Sequence, residues 1–525
     1  MRVTARAVLT ALLLSAAVLA CAPAAALAST TQVAMFEADP QLYAHPANTL
    51  AELRSLGVDV VRVAVHWGGP LGLAPAVKPA GFPAAAPWAA YNWAPLDAIV
   101  KDARAQGIVV DLTLSGPPPA WAAGRGQPHG GGYPEWRPSA AAYGDFVRAV
   151  SARYTGGFRP SPDAAPLPAV HWWELWNEPN FGQELAPQAV RGSTVPSAPS
   201  LYRALLAAGW SALGDTGHGR DRILIGNLDA RGQAGGPGPQ APEGYPGYFG
   251  DTKPLTFVRE LYCVDSRYRP VRGRVASAQG CPATAAASRR FRAANPALFA
   301  ASGFADHPYP YHGPPTVADS RDPNYAEFSE LPKLYDVLAR SARAYGSSHR
   351  FAIYNNEYGY ITNPPNSKQP FVSPARAAVY LNWAEYLSWR NPHIASTMQY
   401  LLVDPPQGPS GFDSGLEFYG GRHKPTYDAY RLPLFLPRSR VRRGHPVTVW
   451  GCARPAPTFH NPRVLIQFRA RNHGVWRTVR TVVVTNSRGY FQTTLRLPAS
   501  GAVRLAWSYP HGATIHSRTA TVSVR

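Results

Sequence analysis

From Thr31 onward, short apolar runs alternate with stretches whose apolar residues recur at helical spacing. Residues 32–36 read as a first strand. Residues 48–56 read as a helix with Leu50, Leu53 and Leu56 on one stripe, closed by Gly57. Residues 58–66 form the next strand, with Val61, Val63 and Val65 on one face and Arg62, Ala64 and His66 on the other. The same alternation predicts helices over 95–106, 141–154, 201–213, 325–345, 375–389 and 424–430. Strands fall at 108–114, 170–177, 223–228, 304–307, 351–356 and 394–402. Eight strands, each followed by a crossover, predict a (β/α)8 barrel of the α/β class. An open doubly wound sheet is the runner-up, but no glycine fingerprint for a nucleotide accompanies any strand. Long Gly/Pro-rich loops at 68–91, 116–138, 181–200 and 230–254 are expected at the C-terminal mouth, where barrel chemistry sits.

Past Pro437 the pattern changes to short strands at 464–468, 478–484, 490–497, 502–507 and 519–524, which predict a small antiparallel sandwich. The expected organisation is a signal peptide over 1–28, a barrel over 29–436 and an all-β domain over 437–525. Arg2 and Arg6, an apolar run over 7–20 and the Ala26-Leu27-Ala28 triplet form the signal pattern, so an exported protein is expected. Residues 18–21 resemble a lipobox only loosely, because Leu19 is bulky for it. No later run is long and apolar enough to span a membrane. In an oxidising compartment Cys263 and Cys281 could close a disulfide loop, leaving Cys452 as a free thiol. No cysteine has metal-ligand spacing, the His307…His312 pair is too little for a metal site, and no cofactor is expected.

Charge divides along the same boundary. The chain carries a formal +20, yet all 32 acidic side chains lie within 29–436, which is close to neutral. Residues 437–525 hold 15 arginines and no lysine, aspartate or glutamate. That domain is passive, or binds sugar, or anchors the protein electrostatically to an anionic cell-wall or polysaccharide surface. The missing acids favour the anchor over a sugar-binding module. No nucleic-acid-reading motif accompanies the charge.

Two strand ends carry the chemistry. Residues 171–180 read HWWELWNEPN, and Pro179 forces the chain out of the ladder, so Asn177 and Glu178 should sit at the barrel mouth. A matching end occurs in the seventh strand, where Asn355-Asn356 precedes Glu357. Two inward glutamates across a narrow mouth should have unequal proton affinities, as glycosidic bond cleavage requires.

Trp176-Asn177-Glu178-Pro179 on strand 4, with Glu357 on strand 7, resembles the clan A glycoside hydrolases, of family 39 or family 5 type. Arg62, Pro118-Pro119-Ala120-Trp121 and His307-Pro308-Tyr309 add to the likeness. The resemblance implies a retaining double displacement on a carbohydrate substrate. Glu178 would be the acid/base, Glu357 the nucleophile, and Asn177 the ligand of the sugar 2-hydroxyl. Tyr309 would hydrogen-bond Glu357, and Arg62 would keep it ionised. The clan often ends strand 8 in tryptophan, whereas Met398-Gln399-Tyr400 and Asp404 stand here.

Blander readings stand beside these. The two glutamates could each sit in a structural salt bridge with a cation in the barrel mouth. Glu174 should face the helices by strict alternation and pair with a cation. Arg62 could be that partner, and His307 and Tyr309 could merely fill the barrel. His66 has no clear assignment. Trp67 and Trp121 could stack on sugar rings, or, like Trp136, anchor their own loops. Two functions remain open: an exported retaining glycosidase, and a non-catalytic glycan-binding protein on a barrel scaffold.

Overall fold

The eight predicted strands exist and form one parallel sheet, seen in a computed structural model of the chain. It describes residues 29–126, 135–190, 193–232, 250–406, 411–454, 461–471, 474–508 and 512–525. The signal-peptide reading of 1–28 and parts of three of the long loops lie outside these residues. The strands are β1 (Val33–Glu37), β2 (Val60–His66), β3 (Val109–Ser115), β4 (Trp172–Leu175), β5 (Arg222–Asp229), β6 (Gly303–His307), β7 (Ala352–Asn355) and β8 (Ser396–Tyr400). Seven neighbouring pairs run in parallel register from β7 round to β1 and on to β8. A parallel bridge between Ile353 and Ile394, flanked by the Ile353 N–H to His393 and Ala395 N–H to Ile353 bonds, joins β7 to the β8 edge. The sheet is therefore a closed barrel, and the open doubly wound alternative does not hold.

One principal helix returns the chain after each strand: α1 (Pro46–Ser55), α2 (Ala94–Gln106), α3 (Ala140–Arg153), α4 (Ala198–Asp215), α5 (Pro254–Leu261), α6 (Leu331–Arg343), α7 (Pro374–Arg390) and α8 (Pro425–Arg431). Local chemistry sets their ends. Ser139 and Ser373 side chains cap α3 and α7, and Gly107 ends α2 in the left-handed region. The helix expected from residue 325 begins only at Leu331, because Pro332 suits a first turn and not an interior. Between β5 and β6 the chain adds helices at Gly273–Ala278, Ala285–Ala294 and Ala297–Ala300, and the Cys263–Cys281 disulfide ties this excursion. No described helix is long and apolar enough to cross a membrane.

The C-terminal region is a two-sheet sandwich. One sheet orders β10 (Arg440–Val441), β17 (Ala520–Val524), β15 (Gly501–Ser508), β12 (Arg463–Ala470) and β13 (Arg477–Val483), with β16 (Thr514–His516) on β15. The other orders β14 (Tyr490–Leu495), β11 (Val447–Cys452) and β9 (Leu434–Phe435). Val447, Val449 and Leu434 meet Val464, Ile466, Val503 and Leu505 in the core between them. The sequence reading has no strand at β11. Its outer face is buried too, against α7, so it lacks the apolar–polar alternation that marks a half-buried strand. β9 and β10, at two residues each, are too short to show a period.

The sandwich docks on α7 through Tyr386, Trp389, Trp450 and Tyr490, whose rings stand 5.7–6.2 Å apart. Arg454 forms a buried ion pair with Glu385, Arg488 pairs with Asp59, and Arg518 donates to Asn382.

Candidate active site

The turn after β4 creates the site. Trp176 and Glu178 both adopt positive φ, at 73° and 37°. That is rare for any non-glycine residue and an outlier for tryptophan. The surroundings hold it there. The Trp176 N–H donates to Leu114 O and its indole N–H to Glu184 O, while Asn227 donates to Trp176 O and accepts, through its own carbonyl, the Glu178 N–H. Tyr143 packs its ring edgewise on the Trp176 indole at 5.2 Å. This over-determined kink aims Asn177 and Glu178 into the barrel mouth.

The same kink corrects the expectation for Glu174. Strict alternation would send it toward the helices. Inverting the backbone at Trp176 lets Glu174 and Asn177 share the interior. Glu174 is fully buried there and accepts from Arg62 Nε at 2.9 Å, Thr113 Oγ1 at 2.7 Å and Asn356 Nδ2 at 2.9 Å.

With Glu174, four acidic groups and two cationic ones converge. Nδ1 of His307, at the end of β6, lies 2.8 Å from Glu178 Oε1 and 3.0 Å from Glu357 Oε2. One oxygen of each glutamate lies within 4.8 Å of the other. Arg62 contacts Glu357 at 3.2 Å and Asn177 Oδ1 at 2.7 Å, and it also pairs with Glu37 at the end of β1. His307 is fully enclosed, whereas the Glu178 and Glu357 side chains are 16% and 13% exposed, as groups that meet a ligand must be.

The electrostatics are asymmetric. Burial would raise the Glu357 carboxyl, but the charge and hydrogen bond of His307, the charge of Arg62 and the Tyr309 hydroxyl outweigh it and bring it down to about 2. Burial would lower His307, but the two glutamates dominate and raise it to about 10. Burial raises Glu37, against the pull of Arg62, so this strand-end carboxyl resists ionisation. Glu184 is raised by burial and by repulsion from Glu178 and Glu135, and its carboxyl is hydrogen-bonded with the Asn177 side chain.

A cleft of about 1010 Å³ opens above these groups. Asn177, Glu178, Tyr309 and Glu357 line it, with Asp229, Asp251 and Arg231 toward one side and Tyr311, Tyr325, Phe371, Tyr400 and Phe412 supplying aromatic surface. Tyr400 takes the place at the end of β8 where the clan often has tryptophan. It packs edge-on against Phe412 at 5.5 Å and Tyr309 at 6.2 Å. Asp404 points elsewhere, into a buried pair with Lys424 at 2.7 Å.

Two expected ligands of sugar are misplaced by the sequence reading. Trp67 is fully buried, stacked on Phe146 at 5.6 Å, and does not reach the cleft. Trp121 stands edge-on to Trp67 at 6.1 Å, donates to Pro75 O and is not among the cleft-lining residues. Both anchor the loop after β2, and Trp136 is buried likewise. Arg62 lies beneath the cleft floor, fully paired, and touches Glu357 and Asn177 rather than open space. His66 bonds Gly116 O at 3.2 Å and does not line the cleft.

Sequence names none of Asp229, Glu37 and Tyr311 as site residues, and gives Tyr400 only as standing where the clan often has tryptophan. A usable signal existed for three of them: each ends a barrel strand, the position that already marks Glu178 and Glu357. Tyr311 lies two residues past Tyr309 and carries no such mark. Geometrically, Glu178, His307 and Glu357 could hold a cation, as could Glu52, Glu417 and His423 at the barrel's edge.

No protein-family model matches this chain, and no curated protein does. Similar solved structures include a calcium-binding mutant of Bacteroides uniformis β-glucuronidase 2, with 11% identity and TM-score 0.40, covering 95% of this chain. This chain spans 46% of that protein's length. A GH30 endoxylanase from Clostridium papyrosolvens matches at 10% identity and TM-score 0.41, covering 90% of this chain and 95% of its own. An endo-1,4-β-mannanase from Rhizomucor miehei matches at 13% identity and TM-score 0.38, covering 74% and 90%. Overlaps this loose do not speak to chemistry, which rests on the site itself.

His307 gives the site a pH signature. Its folded pKa of about 10 exceeds the ordinary 6.5, so its proton stabilises the fold fully below about pH 6.5. That stability is lost as pH rises through about 10. Glu357 acts at the opposite limb: its contribution is present above 4.5 and is lost as pH falls through about 2. Thermal melts from about pH 7 to 10 should fall more steeply for the wild type than for His307→Gln. Parallel slopes would show that His307 is not held protonated by the two glutamates.

Proposed function

We propose that this chain is an exported glycoside hydrolase that cleaves O-glycosidic bonds of a poly- or oligosaccharide with retention of anomeric configuration. The observation that carries the reading is the pair Glu178 and Glu357, close enough to bracket one anomeric carbon and held in unequal environments. A separation of about 5–5.5 Å is the retaining distance, against roughly 6.5–9.5 Å where a water must fit between. One oxygen of each carboxylate lies within 4.8 Å of the other, and both meet the same His307 Nδ1, which favours the shorter spacing.

In this mechanism Glu357, ionised because His307, Arg62 and Tyr309 face it, attacks the anomeric carbon. Glu178 delivers its proton to the departing glycosidic oxygen. A water then enters; Glu178 removes its proton, and the covalent ester at Glu357 is hydrolysed. His307, bridging both carboxyls through Nδ1, fixes their separation. Asn177, anchored by Arg62, presents its side chain beside Glu178 to the sugar 2-hydroxyl. The aromatic walls suit the CH faces of sugar rings. Export fits the Cys263–Cys281 disulfide, since such bonds persist in oxidising compartments.

The test is to trap the intermediate. A panel of dinitrophenyl 2-deoxy-2-fluoro glycosides of hexoses, pentoses and uronic acids should inactivate the protein with at least one sugar. Mass spectrometry should then find that sugar on Glu357. A label on another residue refutes the assignment. Turnover of a glycoside with inverted product refutes retention. Glycan binding without turnover of any glycoside returns the non-catalytic scaffold.

A further inference from the structure

The C-terminal domain has a feature that the cleft does not use. Its 15 arginines have no acidic residue of their own domain to pair with. Arg454, Arg488 and Arg518 reach across to Glu385, Asp59 and Asn382 and hold the domain to the barrel. The others stay on the sandwich, and the fold gathers several of them at one place. At the end of the larger sheet where β12 leaves and β15 enters, a groove of about 910 Å³ is lined by Arg440, Arg469, Arg471 and Arg525 together with Ser439, Thr521 and Ser523. These arginines are exposed and form no ion pair among the described residues. Beside the groove Arg469 and Arg504 both lie over the Trp476 ring, at 4.7 and 4.4 Å. Burial, and after it the Arg469 charge, lower the Arg504 pKa.

We propose that this groove binds an acidic polysaccharide, with the guanidinium groups of Arg440, Arg469 and Arg471 on its carboxylates. Planar guanidinium forks pair with carboxylates in two parallel hydrogen bonds, which a diffuse positive surface cannot do. Apart from its four arginines the lining is made of serine, threonine, glycine, alanine and Val522. It leaves room for a ring-bearing chain and offers Ser439 and Ser523 to sugar hydroxyls. Tyrosine, phenylalanine and tryptophan are missing from the groove's described lining, so it offers no stacking platform of the kind that holds single-stranded nucleic acid. The groove lies in a different domain from the cleft, so its ligand is retained whether or not the cleft turns over.

The test uses the full exported chain in affinity electrophoresis through polygalacturonate, poly(glycerol phosphate), DNA and neutral dextran. Wild type should be retarded most by polygalacturonate, with the effect lost by about 0.5 M salt, where screening is within a few ångströms. Arg440→Ser/Arg471→Ser should weaken that binding about tenfold. Arg463→Ser/Arg480→Ser removes equal charge from the same domain and should change it less than twofold. Circular dichroism melts on both variants separate lost binding from lost folding. Equal losses in the two variants would reduce the effect to net charge and overturn the groove. Equal or tighter binding to poly(glycerol phosphate) or DNA would overturn the polysaccharide assignment, as would no retardation by polygalacturonate at low salt.

Discussion

Glu178→Gln is expected to lower kcat/KM by about 10²–10⁴-fold on a glycoside whose leaving group needs a proton, the range for loss of a general acid–base residue. On a dinitrophenyl glycoside the first step should survive nearly intact, because that leaving group departs as a stable anion. Glu357→Gln should lose both substrates, since no covalent ester can form. The measurement is the ratio of kcat/KM for the two leaving groups in wild type and each variant. The ratio should rise steeply in Glu178→Gln alone. Added azide should restore turnover in that variant and yield the glycosyl azide of retained configuration, because a small anion needs no base to attack the ester. An equal loss on both substrates in Glu178→Gln would remove it from the acid/base role, even with the fold intact. The prediction depends on geometry more than on carboxyl chemistry: Glu178 stands beside His307 at the cleft wall, opposite Glu357.

The barrel was legible because its period is. Val61, Val63 and Val65 alternate with Arg62 and Ala64, and the strand they predict is β2 to within two residues. The two glutamates were legible because each ends a strand, and a proline or a glycine soon stops the ladder. What resisted reading was whatever depends on a departure from period. Alternation puts Glu174 on the wrong face because nothing in HWWELWNEPN announces a positive φ at Trp176. That φ is set by Asn227, Leu114 and Tyr143, all distant in sequence. Sequence leaves Trp67 open between a sugar platform and a loop anchor, and only the fold decides it: Phe146 and Tyr143, both from α3, enclose it. Apart from Tyr400, which ends β8, most of the cleft's aromatic surface comes from loops after β6, β7 and β8, whose paths no local pattern encodes. The disulfide is the intermediate case: compartment and spacing suggested Cys263 and Cys281, and helix packing brings their Cα atoms to 5.6 Å.

Arg62 shows why catalysis and stability are not separable here, and its removal should have the largest effect on the fold. The side chain is 1% exposed and faces Glu37, Glu174 and Glu357 at once. Replacing a partner in a buried ionic cluster, rather than the whole cluster, leaves uncompensated charge, at a cost of about 3–5 kcal/mol. Arg62→Met is therefore expected to lose that much in urea unfolding. Arg62→Lys should recover only part of it, because an ammonium cannot span three carboxylates and the Asn177 carbonyl from one position. A catalytic signature should accompany the loss. Without Arg62 the Glu357 carboxyl is held down by His307 and Tyr309 alone, so the acid limb of kcat/KM should move to higher pH in both variants. Adding Glu174→Gln to Arg62→Met should regain stability by removing one of the orphaned charges, while leaving the shifted acid limb where it is. If the double variant regains nothing, the cost of losing Arg62 lies in packing and not in charge. If the acid limb stays put in Arg62→Met, this arginine does not govern the ionisation of Glu357, and His307 and Tyr309 set it.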